Sequence, residues 1–238
     1  MFFGIDPLYL LLVGPTMLLS LWASFRVKNA FGRWQGYQNS QGMTGSQVAR
    51  RILDRAGLSN VRVERVPGQL TDHYDPRSKT LRLSDATFSD VSIAAAGVAA
   101  HEAGHAIQDK VQYPLLGFRS AIVGMASFGS KASWLLIMGG FFLMMFTGSV
   151  LGKYVAIAGV LCFTVVVVFQ LVTVPVEINA SSRAKRILRE MQFAGQRETE
   201  AVNEVLNAAA WTYVAAALTG VVTLLYFLLR LGLLGRDD

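Results

Sequence analysis

The chain has 238 residues, of which 53% are hydrophobic and only 16% charged. A typical soluble domain carries roughly 25% charged residues. The apolar residues are also clustered, so the composition argues against one large soluble core and for a membrane protein. A single cysteine, Cys162, excludes an intramolecular disulfide and a Cys-rich zinc ribbon. The net charge of +6 reads as membrane orientation rather than nucleic-acid binding.

The first element is the apolar stretch Pro7 to Phe25, long enough to cross a bilayer, which takes about 20 residues of helix. It opens on Asp6 and is followed by Arg26 and Lys28, the pattern of an uncleaved anchor and not of a signal peptide. Residues 26–132 are polar and read as folded. Thr44 and Gln47 stand at capping-box spacing ahead of a helix with Val48, Ile52, Leu53 and Ala56 on one face, and Gly57 marks its stop. Residues 61–66 and 80–84 alternate with period two, as half-buried strands do. Asp75-Pro76 signals a turn between them, with His73 on a strand flanking it. Ser92 to Gln112 has strong helix formers and no proline.

Two further apolar runs follow, Ser133 to Gly152 and Tyr154 to Val174, a hairpin with Lys153 at its turn. Residues 175–191 read as a separate helix with Pro175 near its start. Residues 197–229 read as one long helix whose end, Trp211 to Leu229, is a fourth span. The expected plan is therefore an anchor (1–25), a folded polar part with the helix from Ser92 to Gln112 (26–132), a membrane hairpin (133–174), a second polar segment (175–210) and a last span (211–238). Fourteen Lys/Arg lie in 26–132 and five in 175–210, against Lys153, Arg230 and Arg236 on the other side. The positive-inside rule puts both polar segments in the cytoplasm and both termini outside.

Two of the three histidines stand four apart in VAAHEAGHAIQ, residues 98–108. On a helix, positions i and i+4 share a face. His101 and His105 can then both offer a ring nitrogen to one ion, while Glu102, turned by about 100°, reaches a water on that ion. This is the H-E-x-x-H arrangement: two neutral imidazoles on zinc and a carboxylate as general base. Chance would place it in about one chain in a thousand of this composition. Two histidines making ordinary polar contacts are the plain alternative, but burying such groups among alanines is costly without a partner.

Catalytic zinc needs a third protein ligand and one open position. The candidates are His73 and a carboxylate. Glu177 stands out as the only acid between Asp109 and Glu190, placed where the chain leaves the third apolar run. Helix N-terminal electrostatics after Pro175 would also account for a glutamate there. Candidate donors to a developing oxyanion are His73, Tyr74 and Arg183. Strand 80–84, around Arg82, is the candidate edge for pairing an extended substrate.

HEAGH, the later PVEINASSRA, the upstream LTDHYDP and GMTGSQVA, and the four-span layout together resemble the YugP-like neutral zinc metallopeptidases of bacterial membranes. These are distant relatives of the HtpX class of membrane protease. The resemblance implies an α+β membrane protein with four transmembrane helices and a zincin-like cytoplasmic catalytic domain, the H-E-x-x-H helix beside a small sheet. It implies Zn2+ as cofactor, His101, His105 and Glu177 as its ligands, and Glu102 as base. In the HtpX-type relatives an aspartate four residues after the ligand glutamate orients a zinc histidine; here that position is Ser181, a hydroxyl without charge. Asp109, one turn beyond His105, is a possible substitute, and Asn179 reads as facing away.

The expected activity is peptide-bond hydrolysis at the cell (inner) membrane, on a peptide or membrane-protein substrate, with the lipid bilayer as partner and no nucleic acid. A non-catalytic membrane scaffold with a structural zinc site is the rival, and closed structural sites usually take four protein ligands. Zinc inside the bilayer is a second rival. Only about ten uncharged residues precede His101, too few to span.

Overall fold

The structure is a computed structural model that describes residues 6–193 and 195–234. Arg236, counted in the charge asymmetry, lies outside them. It is mostly helical, with one small sheet. In chain order the elements are α1 (Pro7–Gln35), α2 (Gly45–Arg55), β1 (Arg62–Val66), β2 (His73–Asp75), β3 (Thr80–Ser84), α3 (Asp85–Phe88) and α4 (Ile93–Lys110). Then come α5 (Pro114–Thr147), α6 (Val150–Glu190) and α7 (Gln196–Arg230). The helices α1, α5, α6 and α7, of 29, 34, 41 and 35 residues, are each long and apolar enough to cross a membrane. The chain divides into two compact units, one of residues 1–22, 118–174 and 213–238, the other of 23–117 and 175–212.

Among the described residues the first unit is built of helices alone. Its α5–α6 hairpin turns at Gly148 and Ser149, with Gly148 at φ 62° and its N–H bonded to the Met144 carbonyl. The turn therefore falls inside the run read as Ser133 to Gly152, and Lys153 is helical. An apolar run cannot show such a turn, because glycine is itself apolar and supplies the left-handed backbone without strain. Glycines also let the two helices touch. A Cβ at Gly140 would sit 2.4 Å from the Ala156 nitrogen, and one at Gly159 would sit 2.7 Å from that of Ile137. Ile137, Ala156, Val160 and Phe227 form the buried centre of this unit.

The second unit holds the sheet, ordered β1-β3-β2, with β1 parallel and β2 antiparallel to β3. β3 is thus the middle strand, paired on both sides, and the expectation that its edge is open is corrected: the free edges belong to β1 and β2. With only three residues, β2 is too short for alternation to reveal it, and it is held by pairing His73 with Arg82 and Tyr74 with Leu81. The sheet rests on α2 and α4. The α2 face expected from sequence is the buried one (Val48, Ile52, Leu53), and its N-terminus carries the full capping box between Thr44 and Gln47. Leu81, Leu83, Ala96, Ala99, Ala100 and Ala103 complete this core with Ala184 and Leu188 of α6.

Pro175 does not start a helix. The α6 helix runs unbroken through it, giving up one backbone hydrogen bond, a cost that helix packing can absorb. Beyond Pro175, α6 lies in close contact with α4: a Cβ on Gly104 would stand 2.7 Å from the carbonyl oxygen of Ala180. By contrast, a Cβ on Gly97 of the same helix meets only Val202 methyls at 3.5 Å or more. Gly104→Ala should therefore push the helices apart and cost about 1–3 kcal/mol of unfolding free energy. Gly97→Ala should be neutral or should stabilise by up to about 1 kcal/mol through helix propensity. Denaturant unfolding of the two variants in detergent checks this, and equal effects would show that the Gly104 contact is not limiting.

Candidate metal centre

The close approach at Gly104 brings two helical faces together that are 76 residues apart in sequence. From α4, His101 and His105 stack one turn apart with ring centroids 4.8 Å from each other. From α6, Glu177 points between them. Its Oε2 lies 3.1 Å from His101 Nε2 and 3.5 Å from His105 Nε2. Ser181, one turn further along α6, lies with its Oγ 3.1 Å from His101 Nδ1. Glu177 and His105 are buried, and His101 keeps 12% of its side chain exposed, so the cluster has one side open to solvent.

The donor set suits a metal ion. Two imidazole nitrogens and one carboxylate oxygen, all within 4.8 Å of one another, converge on a common point. Imidazole and carboxylate are ordinary zinc donors, and three of them leave a fourth position free. The electrostatics agree. Burial alone would raise the Glu177 carboxyl, but the facing imidazoles, through hydrogen bonding and charge, more than offset it and hold the group well below the usual carboxylate range. Glu102, beside His101 on α4, is also buried, and here burial wins over the neighbouring histidines and pushes its carboxyl up.

The other residues singled out from sequence have other partners. Asp109 accepts from Tyr74 Oη at 2.7 Å and from Lys79, fastening the end of α4 to β2 and to the turn before β3. Burial, then Asp109, raises the Tyr74 hydroxyl far above its ordinary value. His73 is exposed, with Nδ1 2.9 Å from the Thr71 carbonyl. Arg183 donates from Nε to Asn179 Oδ1 at 2.8 Å. The structure thus gathers His101, His105, Glu177 and Ser181, with Glu102 alongside; it gives His73, Tyr74 and Asp109 hydrogen bonds elsewhere, and joins Arg183 to the cluster only through Asn179.

Sequence reasoning missed two members of the cluster. Gln108, fully buried, places Oε1 2.9 Å from His105 Nδ1 and donates from Nε2 to the Val176 carbonyl at 2.8 Å. Asn179, read as facing away, accepts from the same Nε2 at 3.0 Å. Gln108 is three residues after His105, within reach of one helical turn. A buried glutamine just after the motif was the available signal.

The chain matches known proteins over nearly its whole length. The family described as "Putative neutral zinc metallopeptidase" matches residues 9–232. "Putative membrane protease YugP" of Bacillus subtilis (strain 168) is 44% identical over 232 residues, covering 97% of this chain and 99% of that protein. No solved structure matches. A match that takes in three of the four long apolar helices whole, nearly all of the first, and every residue of the centre leaves one conclusion: the chain belongs to the YugP-like family of neutral zinc metallopeptidases.

Proposed function

We propose that this protein is a membrane-embedded zinc endopeptidase whose site faces the cytoplasm. The observation that carries the reading is the convergence of His101 Nε2, His105 Nε2 and one Glu177 oxygen, with Glu102 on the next position of the same helix. His101, His105 and Glu177 would hold the metal. Bound there, zinc supplies a Lewis acid for a peptide carbonyl and a water acidic enough to give up a proton near neutral pH.

The chain's own residues do the rest. Glu102 takes the proton from the attacking water and passes it to the leaving nitrogen. Its burial suits it to this, since a carboxyl lifted toward neutrality both holds and releases a proton. Ser181 and Gln108 hold the two imidazoles in place. An extended substrate would pair along β2, a free edge of the sheet and the strand whose Tyr74 is bonded to the end of α4. That arrangement is zincin-like, a catalytic helix beside a small sheet. The distribution of Lys and Arg supports a cytoplasmic site, with nineteen of 22 between residues 26 and 132 or 175 and 210.

Glu102→Gln keeps the volume of the side chain and all three ligands. Metal analysis of the purified variant should find zinc at the unmutated level, while hydrolysis of an unfolded protein such as casein falls by about 10²–10⁴. Casein cleaved at the original rate would remove Glu102 from the mechanism. Zinc-loaded, unmutated protein that cleaved neither casein nor membrane-protein substrates would turn the reading toward a structural zinc site.

Glu177→Ala should lose most of its zinc, whereas His73→Ala should retain it. The reverse result would move the third ligand to His73. Reporter fusions should find the C-terminus outside and position 39 in the cytoplasm. A cytoplasmic C-terminus would overturn the orientation.

A further inference from the structure

Gln108 lies outside the ligand set and the acid–base chemistry, yet its surroundings restrict it more tightly than those of either histidine. It is 0% exposed, and both ends of its amide are engaged. The carbonyl of Val176, 2.8 Å from one end, can only accept a hydrogen bond, so the group facing it must be the NH2. The amide oxygen then faces His105 Nδ1 at 2.9 Å. Since that oxygen also only accepts, Nδ1 must carry a proton. If one proton sits on Nδ1 of a neutral imidazole, Nε2 is a bare lone pair. That atom faces the Glu177 carboxylate at 3.5 Å, a meeting made favourable by a proton on Nε2 in the metal-free protein or by a metal ion in the proton's place.

We infer that Gln108 is a positioning residue that turns the Nε2 lone pair of His105 toward the metal. The inference rests on the zinc-site reading above and not on hydrolysis. The chain of fixed choices starts at a backbone carbonyl next to Glu177, so one glutamine sets the orientation of a ligand on α4 by reference to the helix that carries the third ligand. A carboxylate in place of Gln108 could accept from Nδ1 but could not donate to Val176, and an amide satisfies both. His101 is held differently. Its Nδ1 partner is the Ser181 hydroxyl, which can donate or accept, while the Glu177 carboxylate, which only accepts, faces Nε2 at 3.1 Å and favours a proton there before metal arrives. The two histidines of the motif are therefore unequal: Gln108 fixes the Nδ1 proton of His105, whereas the hydroxyl beside His101 Nδ1 lets that ring take either form.

The test uses the full-length protein in detergent with 15N-labelled histidine. Long-range 1H–15N correlations report which ring nitrogen carries a proton, and competition with a chromophoric chelator reports zinc affinity. In the unmutated protein, His105 Nδ1 should be protonated both with zinc and without it. Gln108→Met, similar in size with no comparable acceptor or donor, should raise the zinc Kd by about 10–100-fold and leave metal-free His105 in mixed tautomers. Gln108→Glu restores the acceptor and should restore protonated Nδ1, with zinc affinity better than that of the methionine variant.

The proposal is overturned if metal-free, unmutated His105 shows a bare Nδ1. It is equally overturned if Gln108→Met binds zinc as tightly as the unmutated protein with its tautomer unchanged. Should Gln108→Met fail to fold, the unmutated protein and Gln108→Glu decide the matter, since a bare Nδ1 in either sinks it. A protein with the expected tautomers and affinities that cleaves no peptide would count against the protease reading alone.

Discussion

Everything at the centre depends on how near two helix backbones come at one point. The α4 helix can lie against α6 only because residue 104 has no side chain, with the Ala180 carbonyl 2.7 Å from where a Cβ would be. Imidazole and carboxylate side chains are short, and three of them reach one ion only when the helices bearing them nearly touch. The alanines on the rest of the α4 surface serve the same end. They bury modest apolar area each, but they keep the helix thin enough for the sheet, α2 and α6 to press on it together. The surrounding core leaves a gap at one level, where the donor atoms of His101, His105 and Glu177 lie within 4.8 Å of one another.

The polar groups around that gap form a connected set rather than separate contacts. Glu177 faces both histidines, Ser181 meets one and Gln108 the other, and Gln108 is tied back to Val176 and Asn179. A half-satisfied buried network would be worse than an apolar core, because each unpaired group keeps its desolvation cost. Below Gln108 on α4, Asp109 is engaged by Tyr74 and Lys79, which anchors the end of the helix to the sheet. The α4 helix is thereby held on two sides, by histidine and amide contacts toward α6 and by Asp109 toward β2 and the turn before β3.

Much of this was legible in the sequence because the informative residues are scarce. Three histidines and one glutamate in a long acid-free stretch leave few ways to assemble a zinc site. The four apolar helices and the Thr44 capping box were readable for a similar reason, being strong local patterns. Features that depend on what lies across a contact were not. The hairpin turn at Gly148 hides inside an apolar run, and α6 passes through Pro175 because packing tolerates the lost bond. The middle position of β3 is a matter of pairing, which alternation along one strand does not encode. Asn179 was assigned to the wrong face because Glu177 was taken as the only reference, whereas the long side chain of Gln108 comes from α4 to meet it.

The order of the ligands along the chain has a consequence for biogenesis. His101 and Glu177 are separated by 76 positions, and that interval contains all of α5 and most of the apolar length of α6. A ribosome that has released the HEAGH helix has made two imidazoles with no third donor. The donor set closes only after the hairpin between them has been synthesised and the far end of α6 has come back to α4. Unfinished chains therefore carry no complete donor set, and whatever chemistry the site performs waits until its own chain has been assembled.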